Sequence, residues 1–345
     1  MTPSFKHWAW VNTEPNLPDD EWKRRLARMK AAGIGAILPE IFNNRAAAYQ
    51  SAHLPVLGPW LEQLLPLARE AGLEVHAWMH AMTCTIPQVN QEHRDWFAVN
   101  GLGESAVDKP AYVGYYQFLC PSHPEVQAFL RQRVEELSRY AELTSIHLDY
   151  IRFPDVILAA ALQPQYGIVQ DREYPQYDYC YCARCRAGFE ERTGTDPLSL
   201  PDPGASAQWR QFRCDLITHL VREVLAPIAR RRGKQVTAAV FPNWEHVRQQ
   251  WSAWDLDAVL PMLYHSFYRE NLEWIGGECR RGVESLQGSR TALYSGLFVP
   301  ALKPEELARA MQVSVEGGAQ GVSLFSAGAM SEAHWEEFSR AAHGL

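Results

Sequence analysis

The chain has 345 residues, 47% hydrophobic and 21% charged, the balance of a globular protein whose core can stand without disulfide staples, which excludes disordered and fibrous classes. A formal charge of -7, from 33 basic and 40 acidic residues, supplies no positive field for phosphates and no basic stripe is present, so nucleic acid is not an expected partner. No stretch stays apolar over the roughly 18 residues of a membrane span, and the N-terminus Met1-Thr-Pro-Ser-Phe-Lys-His-Trp8 lacks the regions of a signal peptide. No membrane partner is expected, and the compartment stays open between the cytoplasm and a trimmed secreted form.

Short apolar runs alternate with helical periodicity, which predicts βα units around a parallel sheet. Strands are expected at 5–12, 34–41, 73–81, 143–152, 236–241, 256–264, 291–299 and 321–325. The first helix starts at Asp19 with Trp22, Leu26 and Met29 on one face, and the second is closed by Gly72. The third carries Val126, Leu130, Val134 and Leu137 inward, a later one covers 209–232, and the last is capped by Ser331. Eight such units with right-handed crossovers close most simply into a (β/α)8 TIM barrel, an α/β fold. The expected organisation is a single catalytic barrel over 1–345 with long insertions after strands three and four, about 82–120 and 153–208. Both follow strands, on the face where barrel enzymes place their active sites.

Strand four ends in His147-Leu-Asp-Tyr-Ile-Arg-Phe-Pro154. Alternation sets Ile146, Leu148 and Tyr150 on one face and His147, Asp149 and Ile151 on the other, toward the barrel mouth. A carboxylate there is costly to bury unless it is paired or functional. The bland reading of Asp149 is an ion pair with Arg152, and the chemical one is a catalytic acid, base or nucleophile. Glycosidic cleavage needs two carboxyl groups flanking the bond. Candidates for the second are Glu40 at the end of strand two and Glu245 after strand five, each otherwise a solvated loop residue or a hydrogen-bonding subsite residue. Asp255 and Asp257 start strand six, on the stability face. Tryptophan and tyrosine, 12 and 14 residues, fall often near strand ends and suit stacking on sugar rings.

His7, His76, His80, His147 and His265 recur near strand ends, which raises a metal-dependent deacetylase or amidohydrolase as an alternative. No His-x-His or His-Glu-x-x-His signature supports it. Cys180-Tyr-Cys182-Ala-Arg-Cys185 sets three thiols within six positions, a spacing that suits a structural tetrahedral Zn. Cys120, on the loop after strand three, is the preferred fourth ligand, with Cys84 and Cys214 as alternatives and metal-free thiols as the bland reading. No organic cofactor is expected.

With these motifs in place, the sequence resembles the glycosyl hydrolases of glycosyl-hydrolase-like family ten. The likeness rests on Leu38-Pro-Glu-Ile-Phe42 with Tyr49-Gln-Ser51, Val75-His-Ala-Trp78, Cys120-Pro-Ser-His-Pro-Glu-Val126 leading into Ile146–Pro154, and Pro261-Met-Leu-Tyr264. It implies a (β/α)8 barrel acting on carbohydrate with Asp149 as the favoured catalytic residue. The cysteine cluster is similar to the structural zinc site of family-forty-two β-galactosidases. Their Asn-Glu at strand four and Glu at strand seven have no counterpart here, where strand seven reads Ala292-Leu-Tyr-Ser-Gly-Leu-Phe-Val299. The expected function is therefore a glycoside hydrolase on an oligo- or polysaccharide, with Asp149 and either Glu40 or Glu245 catalytic. His7, His76, Trp78, His147, Arg152, Trp244 and Tyr264 are expected to bind the sugar. A non-catalytic carbohydrate-binding barrel is the alternative from another class.

Overall fold

The computed structural model describes residues 5–344. Among them are β1 (His7–Val11), β2 (Ile34–Phe42), β3 (Glu74–His80), β4 (Ser145–Asp149), β5 (Gln235–Val240), β6 (Ala258–Pro261), β7 (Ala292–Leu293), β8 (Ser295–Phe298) and β9 (Val322–Phe325). Their order is β7-β6-β5-β4-β3-β2-β1-β9-β8, with parallel pairing throughout. The expected seventh strand is split at Tyr294: β7 pairs with β6, and β8 with β9. The Leu263 N–H donates to the Gly296 carbonyl at 2.9 Å, which bridges the split and gives a nearly closed barrel. A side chain at Gly296 would sit 2.7 Å from the Pro261 carbonyl oxygen, so glycine lets the strands approach this closely. The fold is the expected α/β barrel.

Two apolar layers build it. The larger lies between strands and helices and takes in Trp22 and Leu26 of the helix Asp19–Ala31, Val126, Leu130, Val134 and Leu137 of Pro124–Leu137, and Ile146 and Leu148 of β4. Each such side chain, fully buried, contributes about 1.5–3 kcal/mol. The smaller fills the barrel with Trp8, Trp10, Leu38, Trp78, Leu260 and Tyr294. The alternation of β4 thus sends its aliphatics outward and His147 and Asp149 inward, since successive side chains of a strand point to opposite faces.

Two differences from expectation have local causes. The helix expected over 209–232 is Ala207–His219, a π turn Leu220–Leu225 and Ala226–Arg231. Pro227 lies at the join, has no N–H to donate and crowds the preceding turn. At the end of β4, Tyr150 takes φ +51°, a conformation disfavoured for a bulky residue. That breaks the alternation: Tyr150 turns into the cavity described below, and Ile151 joins the outer core. Sequence parity had placed them the other way round.

The segment between β3 and the helix at Pro124 and the one between β4 and the helix at Ala207 lie against each other. Tyr181 N–H donates to the Val99 carbonyl at 2.7 Å, and Gly101 N–H to the Asp178 carbonyl at 3.0 Å. Arg248 joins Glu173 at 2.9 Å and Asp178 at 3.0 Å, with Arg213 also on Asp178, a group of two guanidinium ions and two carboxylates drawn together by charge. No helix among the described residues is long and apolar enough to cross a membrane.

Candidate active site

The C-terminal ends of the strands open into a cavity of about 580 Å3 lined by Glu40, Trp78, His80, Asp149, Tyr150, Arg152 and Tyr264 among others. Register places its polar groups: Glu40 on β2 lies opposite Trp78 on β3, and His80 on β3 opposite Asp149 on β4. Glu40, Trp78, His80 and Asp149 therefore form one step across three adjacent strands.

Asp149 accepts from the Trp78 indole N–H at 2.9 Å and from the Tyr150 backbone N–H at 2.6 Å. Burial raises its carboxyl above the ordinary 3.8, against the opposing pull of His80, those two donors and Arg152. Glu40 differs. Burial pushes its carboxyl up as well, but the His80 ring, with Nε2 at 3.3 Å from Oε1, and the Thr13 hydroxyl, at 3.1 Å from Oε2, outweigh it and hold Glu40 below its usual value. The cavity thus holds one carboxyl shifted upward and one shifted downward. Environments that separate two titratable groups in this way define acid and base roles. Both ring nitrogens of His80 are buried, Nε2 facing Glu40 Oε1 and Nδ1 without a hydrogen-bond partner among the described residues.

Several residues expected at the site lie elsewhere. His7 opens β1, its Nδ1 accepting from Val322 N–H at 3.3 Å, and His76 sits two residues into β3 against Ser145 at 2.5 Å. Both are near the N-terminal end of the strands, a barrel's height from the mouth. His147 lies below the floor, between Thr237 at 2.9 Å and the Trp10 indole at 3.4 Å. Trp10 covers it from the cavity side. His147 lies on the inward face where the alternation of β4 placed it, but none of these three histidines lines the cavity. Glu245 is exposed, and it and Trp244 line clefts outside this cavity, because the 3-10 turn Trp244–Val247 leads the chain away from the mouth. Arg152 borders the cavity, but its guanidinium is committed to Asp155 at 3.0 Å and the Tyr116 hydroxyl at 3.2 Å. The readable signal for His80, absent from the expected site set, was its parity with Trp78 two residues earlier. Tyr112, Tyr115 and Tyr116, from the segment after β3, also line the cavity, and irregular backbone left no period to read.

Away from the cavity, Cys120, Cys180, Cys182 and Cys185 bring their sulfurs within 4.8 Å of one another. Cys120 Sγ stands 3.6 Å from Cys182 and 3.5 Å from Cys185. Backbone N–H groups of Val99 and Cys185 point at Cys180 and Cys182, the polarity a thiolate needs. Cys84 and Cys214 lie outside the group.

The fold and this cavity define a class, parallel α/β barrels with a carboxyl-bearing pocket at the C-terminal ends of their strands. Particular relatives within it are distant. No protein-family profile matches the chain. Among curated proteins it is similar to "Glycosyl hydrolase YngK" of Bacillus subtilis (strain 168), 26% identical over 178 residues that cover 46% of this chain and 31% of that protein. The match thus spans under a third of that relative's length. Among solved structures, the PgaB (BpsB) glycoside hydrolase domain from Bordetella bronchiseptica superposes with a TM-score of 0.70 at 15% identity, over 99% of this chain and 98% of that one. The β-galactosidase from Marinomonas ef1 gives 0.68 at 12%, over 98% and 59%. The catalytic domain of β-amylase from Paenibacillus polymyxa gives 0.67 at 10%, over 98% of each. These likenesses establish a shared barrel.

Proposed function

We propose that the protein is a glycoside hydrolase in which Asp149 is the general acid and Glu40 its carboxylate partner. The observation that carries this reading is the opposite displacement of the two carboxyl groups across one cavity. Asp149 donates its proton to the glycosidic oxygen as that bond breaks, and Glu40 either takes a proton from the attacking water or adds to the anomeric carbon. Trp78 orients Asp149, His80 balances both carboxyls, and Tyr264 adds an aromatic face. The name of the YngK relative and the activity named for the PgaB domain support the same class.

The cysteine cluster fits a structural zinc. A tetrahedron with Zn–S bonds of about 2.3 Å has edges of roughly 3.8 Å, against the 3.5 and 3.6 Å separations of Cys120 from Cys185 and Cys182. Four thiolates leave no open position for water, so the ion would tie Cys120, after β3, to the segment after β4 and supply no chemistry to the cavity.

The test is a glycan panel read for new reducing ends and, in parallel, for released acetate. Reducing ends from the wild-type protein and none from Asp149→Asn support the reading. Acetate without reducing ends favours the deacetylase, and sugar binding with neither product favours a binding module.

A further inference from the structure

The cavity has two unlike sides. The floor is polar and consists of Glu40, His80 and Asp149. The facing wall comes from the loops after β3, β4 and β6 and presents Val113, Tyr115, Leu158, Leu162, Tyr166 and Phe267. Its buried polar groups are engaged with one another: Arg152 holds Asp155 and Tyr116, the Tyr112 hydroxyl donates to the Asp155 carbonyl at 2.8 Å, and Gln170 donates to that hydroxyl at 2.9 Å. The Arg152 guanidinium is sandwiched among Tyr116, Phe118, Tyr150 and Phe241, 4.6–5.6 Å from their centroids. Tyr115 and Tyr166 are 43% and 37% exposed and are the only aromatic side chains among the exposed large hydrophobics of the described residues. Both lie on this wall.

A wall for a second sugar would need free donors and acceptors for its hydroxyl groups, because a buried hydroxyl left unpaired is costly. Val113, Leu158, Leu162 and Phe267 offer none and reward hydrocarbon, and the free hydroxyls of Tyr115 and Tyr166 belong to the wall's two exposed aromatic side chains. Resting on the glycosidase reading, we infer that this wall binds an apolar aglycone: the substrate is a sugar seated on the carboxyl floor and joined through oxygen to an alkyl or aryl group. Water and glycoside become free sugar and the apolar alcohol, whose oxygen keeps the proton given by Asp149.

The experiment uses methyl, n-butyl and n-octyl glycosides of glucose, galactose, glucosamine and fucose in both anomers, below their micelle concentrations, with disaccharides of the same sugars alongside. Alkyl leaving groups differ little in acidity, so chain length reports binding by the wall. For a cleaved sugar, kcat/KM should rise by up to roughly fourfold per buried methylene, reaching at least about 100-fold from methyl to octyl. Leu162→Asn should cut that octyl-to-methyl ratio at least about fivefold. A flat series, or a disaccharide turned over faster than the octyl glycoside, overturns the aglycone inference and leaves glycoside hydrolysis standing. If nothing in the panel is cleaved, the failure lies first with the glycosidase reading. Quenching of protein tryptophan fluorescence, with Trp10 and Trp78 in the cavity, then decides the wall: octyl glycosides binding well above methyl ones uphold it, and equal or absent binding overturns it.

Discussion

Two polar layers stand one above the other inside the barrel, sharing β3 and β4 and partly the same residue type. The lower runs from Glu74 through His76, Ser145 and Thr237 to His147 and Trp10. Its bonds admit a single direction: the indole donates to His147 Nε2, His147 Nδ1 to Thr237, Thr237 to Ser145, Ser145 to His76 Nδ1, and His76 Nε2 to Glu74. Every group is spoken for. The upper layer, Glu40, His80 and Asp149, lines a cavity, and His80 Nδ1 has no hydrogen-bond partner among the described residues. Four residues along β3 separate His76 from His80, and two along β4 separate His147 from Asp149. What divides structural from chemical histidines here is whether their hydrogen bonds close within the barrel.

The comparison breaks most visibly in turnover. Asp149→Asn and Glu40→Gln should each lower kcat by about 10^2–10^4-fold while the melting temperature of Asp149→Asn stays nearly unchanged. His147→Ala should do the reverse, costing roughly 2–4 kcal/mol in a denaturant titration because Thr237 and Trp10 lose their partner, with kcat of the folded fraction within a few-fold. A His147→Ala variant that stayed stable but lost turnover would place the lower layer in the chemistry. The cysteine cluster should side with the lower layer: chelation or Cys182→Ser is expected to lower the melting temperature by about 5 °C or more, with activity at low temperature retained.

Acid and base separate the layers further. As pH rises through the raised Asp149 pKa the acid form is lost and kcat/KM falls; as pH drops through the lowered Glu40 pKa the charged partner is lost and kcat/KM falls again. Glu40→Gln should erase the low-pH limb, and its persistence would assign that limb to another group. The smallest effect is on stability. Burial holds His7 at about 4 and lowers His76 and His147, so below 6.5 the unfolded chain takes up protons that the folded one refuses. Stability therefore declines as pH falls below 6.5, and His147→Gln should flatten that decline by up to about 1.4 kcal/mol per pH unit. An unchanged slope would mean His147 is not neutral in the fold.

Much of this was legible in the sequence because it rests on periodicity. The βα alternation gave the barrel, and the parity of β4 turned Asp149 inward. The spacing of Cys180, Cys182 and Cys185 anticipated their grouping, and adjacency of the loops after strands three and four brought in Cys120. Depth was not legible: period two cannot tell His147 from Asp149, which share a face at different heights. Nor was the course of irregular backbone, so the turn that carries Glu245 away and the loop that brings Tyr115 in were both hidden. Tyr150 shows the limit of parity itself, since one positive φ reversed the faces of two residues.

The ring of strands also sets an order of assembly. β1 pairs with β9 through Trp8 and Ser323, and the Val322 amide bonds His7 across 315 positions of chain. On the ribosome, β1 has only β2 beside it until β9 emerges, so its outer edge must wait through synthesis of almost the whole barrel. At that seam a side chain on Gly321 would fall 1.9 Å from the Lys6 carbonyl oxygen. The last joint to form is thus the one with the least room for a substitution, and a change there would leave a translated but unclosed sheet with two open edges, the species most exposed to aggregation.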